Sequence, residues 1–238
     1  MITAVSLALA VALTGCSSGS DAAPSGPDTG TESNGVTPEK FDPNAGLKNG
    51  SELKAALITK KDVPAGFKVQ PDLTRDSAEG FGPTGRSVSP TKASCKHLNT
   101  NVWINGAGID SAAFAQTSFK SSDGLEIDAE IDTYRETDAA KVMDNLDKLF
   151  KVCASYKTTT PGAGKSTVKV SHKAGPKAGD ASTKALLTSP VWQDGSTLIA
   201  VQVDTSVITV LYSSTKAAAT KNAAKYAETM AERLTEKP

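Results

Sequence analysis

The chain has 238 residues, 38% of them hydrophobic, and its 26 basic residues match its 26 acidic ones, so it is formally neutral at pH 7. No basic run with interleaved aromatics stands out, which excludes a nucleic-acid footprint. Two histidines and three cysteines leave little room for metal or thiol chemistry.

An uncharged apolar run opens the sequence from Met1 to Leu13. As a helix it reaches about 20 Å, short of the roughly 30 Å hydrocarbon core, which fits a signal-peptide core and not a membrane span. The stretch LTGC, Leu13 to Cys16, resembles the lipobox of bacterial lipoproteins. That resemblance implies a signal peptide over 1–15, cleavage before Cys16, and a lipid on Cys16 that anchors the chain to the outer side of the cell membrane. No Lys or Arg precedes the apolar core; either the true start lies a few codons upstream or the terminal amine supplies the positive charge. Residues 17–46 hold almost no large apolar side chains, and five carboxylates (Asp21, Asp28, Glu32, Glu39, Asp42) face one Lys40. Such a segment cannot offset its ordering entropy, so 16–46 is expected to be a disordered, acidic tether.

The remaining 47–238 is long enough for one core, and a single globular domain is expected there. Ser51 caps a short helix with Leu53, Ala56 and Leu57 at helical spacing, which stops before Pro64 and leads into a strand around Phe67–Gln70. Residues 72–92, rich in Gly, Pro and Ser, form a long loop, and a short helix carries Cys95, His97 and Leu98. Two extended runs then meet at Ser121–Gly124, a hairpin whose Asp123-Gly124 pair supplies the left-handed turn residue. In its second strand Leu125, Ile127, Ala129 and Ile131 alternate with Glu126, Asp128, Glu130 and Asp132. The apolar set is assigned to the core and the acidic set to solvent, paired with basic residues of a neighbouring strand.

From Asp138 to Cys153 the spacing becomes helical, with Val142, Leu146, Leu149 and Cys153 on one stripe. The next stretch, PGAGKST, mimics the end of a nucleotide-binding P-loop. The motif requires a glycine five residues before Gly164, where Thr159 stands, and a helix after Lys165, where STVKVSH alternates as a strand. It is read as a solvated turn between the helix of Cys153 and the next strand, with no nucleotide bound. Four extended runs follow, beginning at Ser166, Ser182, Ser196 and Val207. Asp194-Gly195 joins the second to the third and Asp204–Ser206 the third to the fourth, so an antiparallel meander is the economical topology. The run VITVLY is apolar on both faces and belongs centrally in the sheet. A helix over about 216–234 closes the chain, with Ala219, Ala223, Tyr226, Met230 and Leu234 in one stripe. The expected fold is α+β: an antiparallel meander flanked by helices, with a long C-terminal helix.

With Cys16 assigned to lipid, Cys95 and Cys153 remain in an oxidising compartment, where an even pair reads as a disulfide. Two free buried thiols are the alternative.

The stretches LKAALITKKDVPAGFKV, YRETDAAKVMDNL and YAETMAERL, with the Cys95 to Cys153 spacing across a hairpin and into a helix, resemble the PknH-like extracellular sensor domain family of actinobacterial kinase ectodomains and lipoproteins. The resemblance implies an antiparallel sheet flanked by helices, with a cleft for a ligand. The sequence departs from the kinase ectodomains in allowing one disulfide only, and no kinase or transmembrane helix is expected to be attached. The PsbP-like mycobacterial lipoproteins offer a second, similar arrangement.

Candidate chemistry is sparse. Neither His97 nor His172 sits in a metal-ligand spacing, and no G-x-S-x-G elbow occurs. Neighbours in the acidic row lie about 6.8 Å apart along a strand, too far for all four to surround one calcium ion. No catalytic residue, metal or cofactor is therefore assigned. Trp103, Tyr134 and Trp192 are the candidate ligand-binding residues, since aromatics supply contact area and stack on sugars or lipids; a role for Trp192 in shielding a hairpin end competes with that. The function expected is a non-catalytic, ligand-binding or sensor-like module whose partner is an envelope small molecule, lipid or protein. An interaction component without a ligand cavity is the alternative, and an envelope hydrolase comes third.

Overall fold

A computed structural model describes residues 42–160, 162 and 164–236. Cys16, the signal peptide and nearly all of the tether lie outside the described residues. The compact unit that holds the rest runs from Phe41 to Pro238.

Helix α1 spans Gly50–Ala56. Its cap is Asn49 and not Ser51, because Asn49 accepts the Glu52 N–H at 3.0 Å while the Glu52 carboxylate accepts the Asn49 N–H at 2.7 Å. This reciprocal pair satisfies two of the free donors at the helix start. Gly50 allows the helix to press on the chain behind it, where a Cβ would meet the Ser77 nitrogen at 2.6 Å. Strands β1 (Lys68–Val69) and β2 (Arg75–Asp76) follow, so the expected long loop holds one short strand. Two 3-10 helices, Lys92–Asn99 and Trp103–Ala107, precede strands β3 (Ala113–Lys120) and β4 (Glu126–Thr133). These two strands form the expected hairpin, with Gly124 at φ +87° in its turn.

Helix α2 spans Asp138–Val152 and buries Val142, Leu146 and Leu149 completely. Strand β5 (Ser155–Thr160) then pairs with β6 (Gly164–Ala174), so GKST of the P-loop-like stretch is itself paired strand, and the expected link from helix to strand is a link from strand to strand. The short polar run SYKTTT lacks the apolar alternation by which a strand is recognised. Strands β7 (Ala181–Thr188), β8 (Ser196–Val203) and β9 (Ser206–Tyr212) complete the meander, and α3 (Ala217–Thr235) ends the chain.

Among the described residues, nine strands make one antiparallel sheet in the order β1-β3-β4-β9-β8-β7-β6-β5, with β2 also on β3. The doubly apolar β9 sits near the centre, between β4 and β8. Each face carries its own core. On one, α1 and α3 cover Ile127, Ile131, Ile199 and Val210, and Ala219, Ala223, Tyr226, Met230 and Leu234 of α3 are all buried there. On the other, α2 and the 3-10 helices cover Leu198, Val207 and Leu211. Cys95 and Cys153 are bonded to each other and stitch the first 3-10 helix to the end of α2. Among the described residues no helix is long and apolar enough to cross a membrane.

Candidate functional site

An open cleft of about 520 Å3 lies on the α2 face, at the end of the sheet where β3 turns into β4. The sheet contributes Glu126 and Asp128 from β4, Ser196 from β8, and Leu211 and Ser213 at the end of β9. Asn99, Thr100 and Asn101 supply more of the lining, and Thr158–Thr160 of β5 stand with Trp192. The 99–101 and 158–160 segments, about 60 residues apart in sequence, meet at Asn99. Its Oδ1 accepts from the Tyr156 hydroxyl at 2.6 Å, and its Nδ2 donates to Thr158 Oγ1 at 3.3 Å. The disulfide explains the meeting, since Asn99 lies four residues beyond Cys95 and Thr158 five beyond Cys153. Trp192 is half-buried and held by a bond from Nε1 to Thr160 Oγ1 at 3.2 Å.

The three aromatic candidates do not come together. Trp192 lines the cleft, whereas Trp103 and Tyr134 are each 1% exposed in the core under α2. Trp103 packs on Phe150 with ring centroids 6.0 Å apart. Both large rings are used as core, which removes them as a binding surface.

The acidic row on β4 is also placed differently from the expectation. Asp128, Glu130 and Asp132 are 7%, 6% and 3% exposed, so they do not form a solvated face. Alternation separates them correctly from Ile127, Ala129 and Ile131, but their side of the sheet is covered too. Directly opposite Glu130 on β3 stands Gln116, whose Nε2 donates to the Leu73 carbonyl at 3.1 Å. Gln116 Oε1, Glu130 Oε2 and Asp132 Oδ2 are buried with no hydrogen-bond partner among the described residues. Three acceptors without a donor call for protons on the carboxyls. Burial pushes Asp128 up to about 6, against a bond from Ser118, and Asp132 up to about 7. Burial, and then the charge of Asp132, lift Glu130 well above the ordinary carboxyl range, with Arg75 opposing.

The histidines make no catalytic arrangement. His172 Nε2 lies 2.8 Å from Thr183 Oγ1 and 3.1 Å from Asp147 Oδ1. One ring nitrogen thus faces both groups, whereas a triad places nucleophile and carboxylate on opposite nitrogens. His97 is held below its usual pKa, by burial first and then by Lys96 and Arg86. Among the described residues no three His, Cys, Asp or Glu side chains gather as metal ligands.

No protein-family model matches this sequence, and no curated protein matches it. Among solved structures, the extracellular domain of PknH from Mycobacterium tuberculosis matches with a TM-score of 0.59 at 13% identity, over 80% of this chain and 98% of that one. The likeness is one of fold.

Proposed function

We propose that this chain is an extracytoplasmic module, held at the membrane by lipid on Cys16, that binds a ligand without catalysis in a sensor-like role. The observation that carries the reading is the cleft. Its volume of about 520 Å3 falls within the roughly 300–1,000 Å3 of small-molecule sites, and its fold is that of an extracellular domain. Of its two carboxylates Glu126 is already tied to Lys120 at 2.6 Å, and among the described lining residues no histidine stands by Ser196 or Ser213 to activate a hydroxyl, which favours binding over hydrolysis.

Native mass spectrometry of the protein released gently from its own membranes tests the reading. A defined mass beyond the N-terminal lipid, lost when Ser196→Trp fills the cleft, is expected; a clean protein mass would overturn ligand binding. Cys16→Ser should move the protein to the soluble fraction, and continued sedimentation with membranes would overturn the anchor.

One separate observation favours an interaction role. Lys157, Lys165, Lys169, Lys173 and Lys184 share one exposed or half-exposed face of β5–β7, a surface suited to an acidic protein of an envelope complex.

A further inference from the structure

The cleft also carries information about what it takes. Resting on the cleft as the binding site, we infer that its ligand is a neutral, hydroxyl-rich carbohydrate with one sugar ring stacked on Trp192.

Charge decides first. Among the described residues the lining holds no Lys, Arg or His, so an anionic group would find no counter-charge in it and would meet Asp128 instead. A cationic ligand fares little better, because Glu126 is already paired with Lys120 at 2.6 Å and only one carboxylate is left to answer it. A neutral ligand avoids both costs. Apart from Lys120, the basic side chains nearby, Lys92, Lys96 and Lys157, line an adjoining groove of about 540 Å3 that shares Asn99 and Thr158 with the cleft.

Hydrogen-bonding chemistry decides next. By residue, most of the lining carries side-chain hydroxyls or amides that both donate and accept, Asn101, Thr159 and Ser196 among them, with Leu73, Leu211 and Trp192 adding apolar surface. Sugar hydroxyls do the same, so each can be satisfied on entry. Asp128, a residue 7% exposed that lines the cleft, supplies an acceptor that a pair of adjacent hydroxyls can share. An apolar ligand would leave these groups unpaired, at the desolvation cost of each. The indole of Trp192 adds the flat apolar platform that the C–H face of a pyranose covers, and its bond to Thr160 fixes the ring before binding. The cleft is open, so a linear oligosaccharide can enter without a lid moving.

The test is a titration of the full chain followed by tryptophan fluorescence. Only two tryptophans exist, and Trp103 is 1% exposed, so a change on binding reports Trp192. The probes are neutral gluco-, manno-, galacto- and arabino-oligosaccharides, with choline and inorganic phosphate for contrast. At least one oligosaccharide should give a saturable change that persists when salt rises from about 0.1 to 1 M, where the Debye length shrinks from about 10 to 3 Å. By calorimetry, Trp192→Ala and Asn101→Ala should each weaken binding about tenfold or more, while circular dichroism stays that of the parent. Silence toward every oligosaccharide, or a response confined to choline or phosphate, would overturn the carbohydrate class. Whether the cleft binds anything at all is read separately, from the retained mass and its loss in Ser196→Trp.

Discussion

Strands β4 and β6 carry the same kind of pattern and meet opposite fates. On β4, Asp128, Glu130 and Asp132 alternate with apolar residues and are buried. On β6, Lys165, Lys169 and Lys173 stand on one side, opposite the buried Val168, and are exposed. The cross-strand register explains the difference. Asp128 and Asp132 pair with Leu211 and Val207 of β9, so they point to the side that α2 and the 3-10 helices cover. Lys173 pairs with Lys184, and Lys184 with Ile199, which is fully buried in the core of α1 and α3. That cover therefore stops between β8 and β7, and the lysines lie past its edge. Alternation tells which residues share a face, and the distant segments laid over the sheet decide whether the face is wet.

Exchanging the charges should have the largest effect. Asp132→Lys puts an ammonium where Asp132 is 3% exposed, with only the likewise buried Glu130 carboxyl, among the described residues, near enough to answer it. The cost should be about 4 kcal/mol or more, read as a collapse of the urea midpoint or as failure to fold. A variant with near-parent stability would mean that the face is wet. Next in size is the bridge that holds the cover. Cysteine-to-serine changes at both Cys95 and Cys153 release a loop closed across 58 positions. Roughly 4 kcal/mol should be lost in the chain-entropy model, and oligosaccharide binding should weaken with it, because the bridge sets Asn99 beside Thr158.

The buried row also gives stability an unusual pH dependence. Asp128 and Asp132 rise from an ordinary 3.8 to about 6 and about 7, so the folded state binds protons more tightly than the unfolded one. Between those limits unfolding releases protons, and stability must fall as pH rises. The contribution of these two is fully present below about pH 4 and is lost through pH 6 and 7, and Glu130, lifted in the same direction, adds to the fall. Asp132→Asn removes the upper part of this slope and should exceed the parent at pH 8 by roughly 1–3 kcal/mol. Urea midpoints across that range check it; a parent profile that rises toward neutrality would show that the carboxyls are solvated.

How much of this was legible in the sequence follows from the same contrast. Local patterns carried far: the stripe of α3, the hairpin turn at Gly124 and the central place of β9 each depend on residues close in sequence. The cleft did not show, because Asn99–Asn101 and Thr158–Thr160 are short polar runs without periodicity. The cysteine pairing was the usable signal, since it brings the two runs together. Aromatic content misled, as Trp103 and Tyr134 fill the core and only Trp192 reaches the cleft.

On the lysine face the effects should be small and of the opposite sign. Lys169→Glu changes an exposed side chain and should move stability by less than about 0.5 kcal/mol. Lys184→Glu is more telling, because Lys184 stands directly opposite Lys173 on the uncovered side. Like charges in that position repel and opposite charges attract, so the change should stabilise the sheet by about 0.2–0.5 kcal/mol at low salt and by almost nothing in 1 M salt. A loss above about 1 kcal/mol, indifferent to salt, would mean that the Lys184 stem is packed as its partner Ile199 is. In that case the cover of α3 extends onto β7, and the contrast between the two strands narrows to β6 and β5 alone.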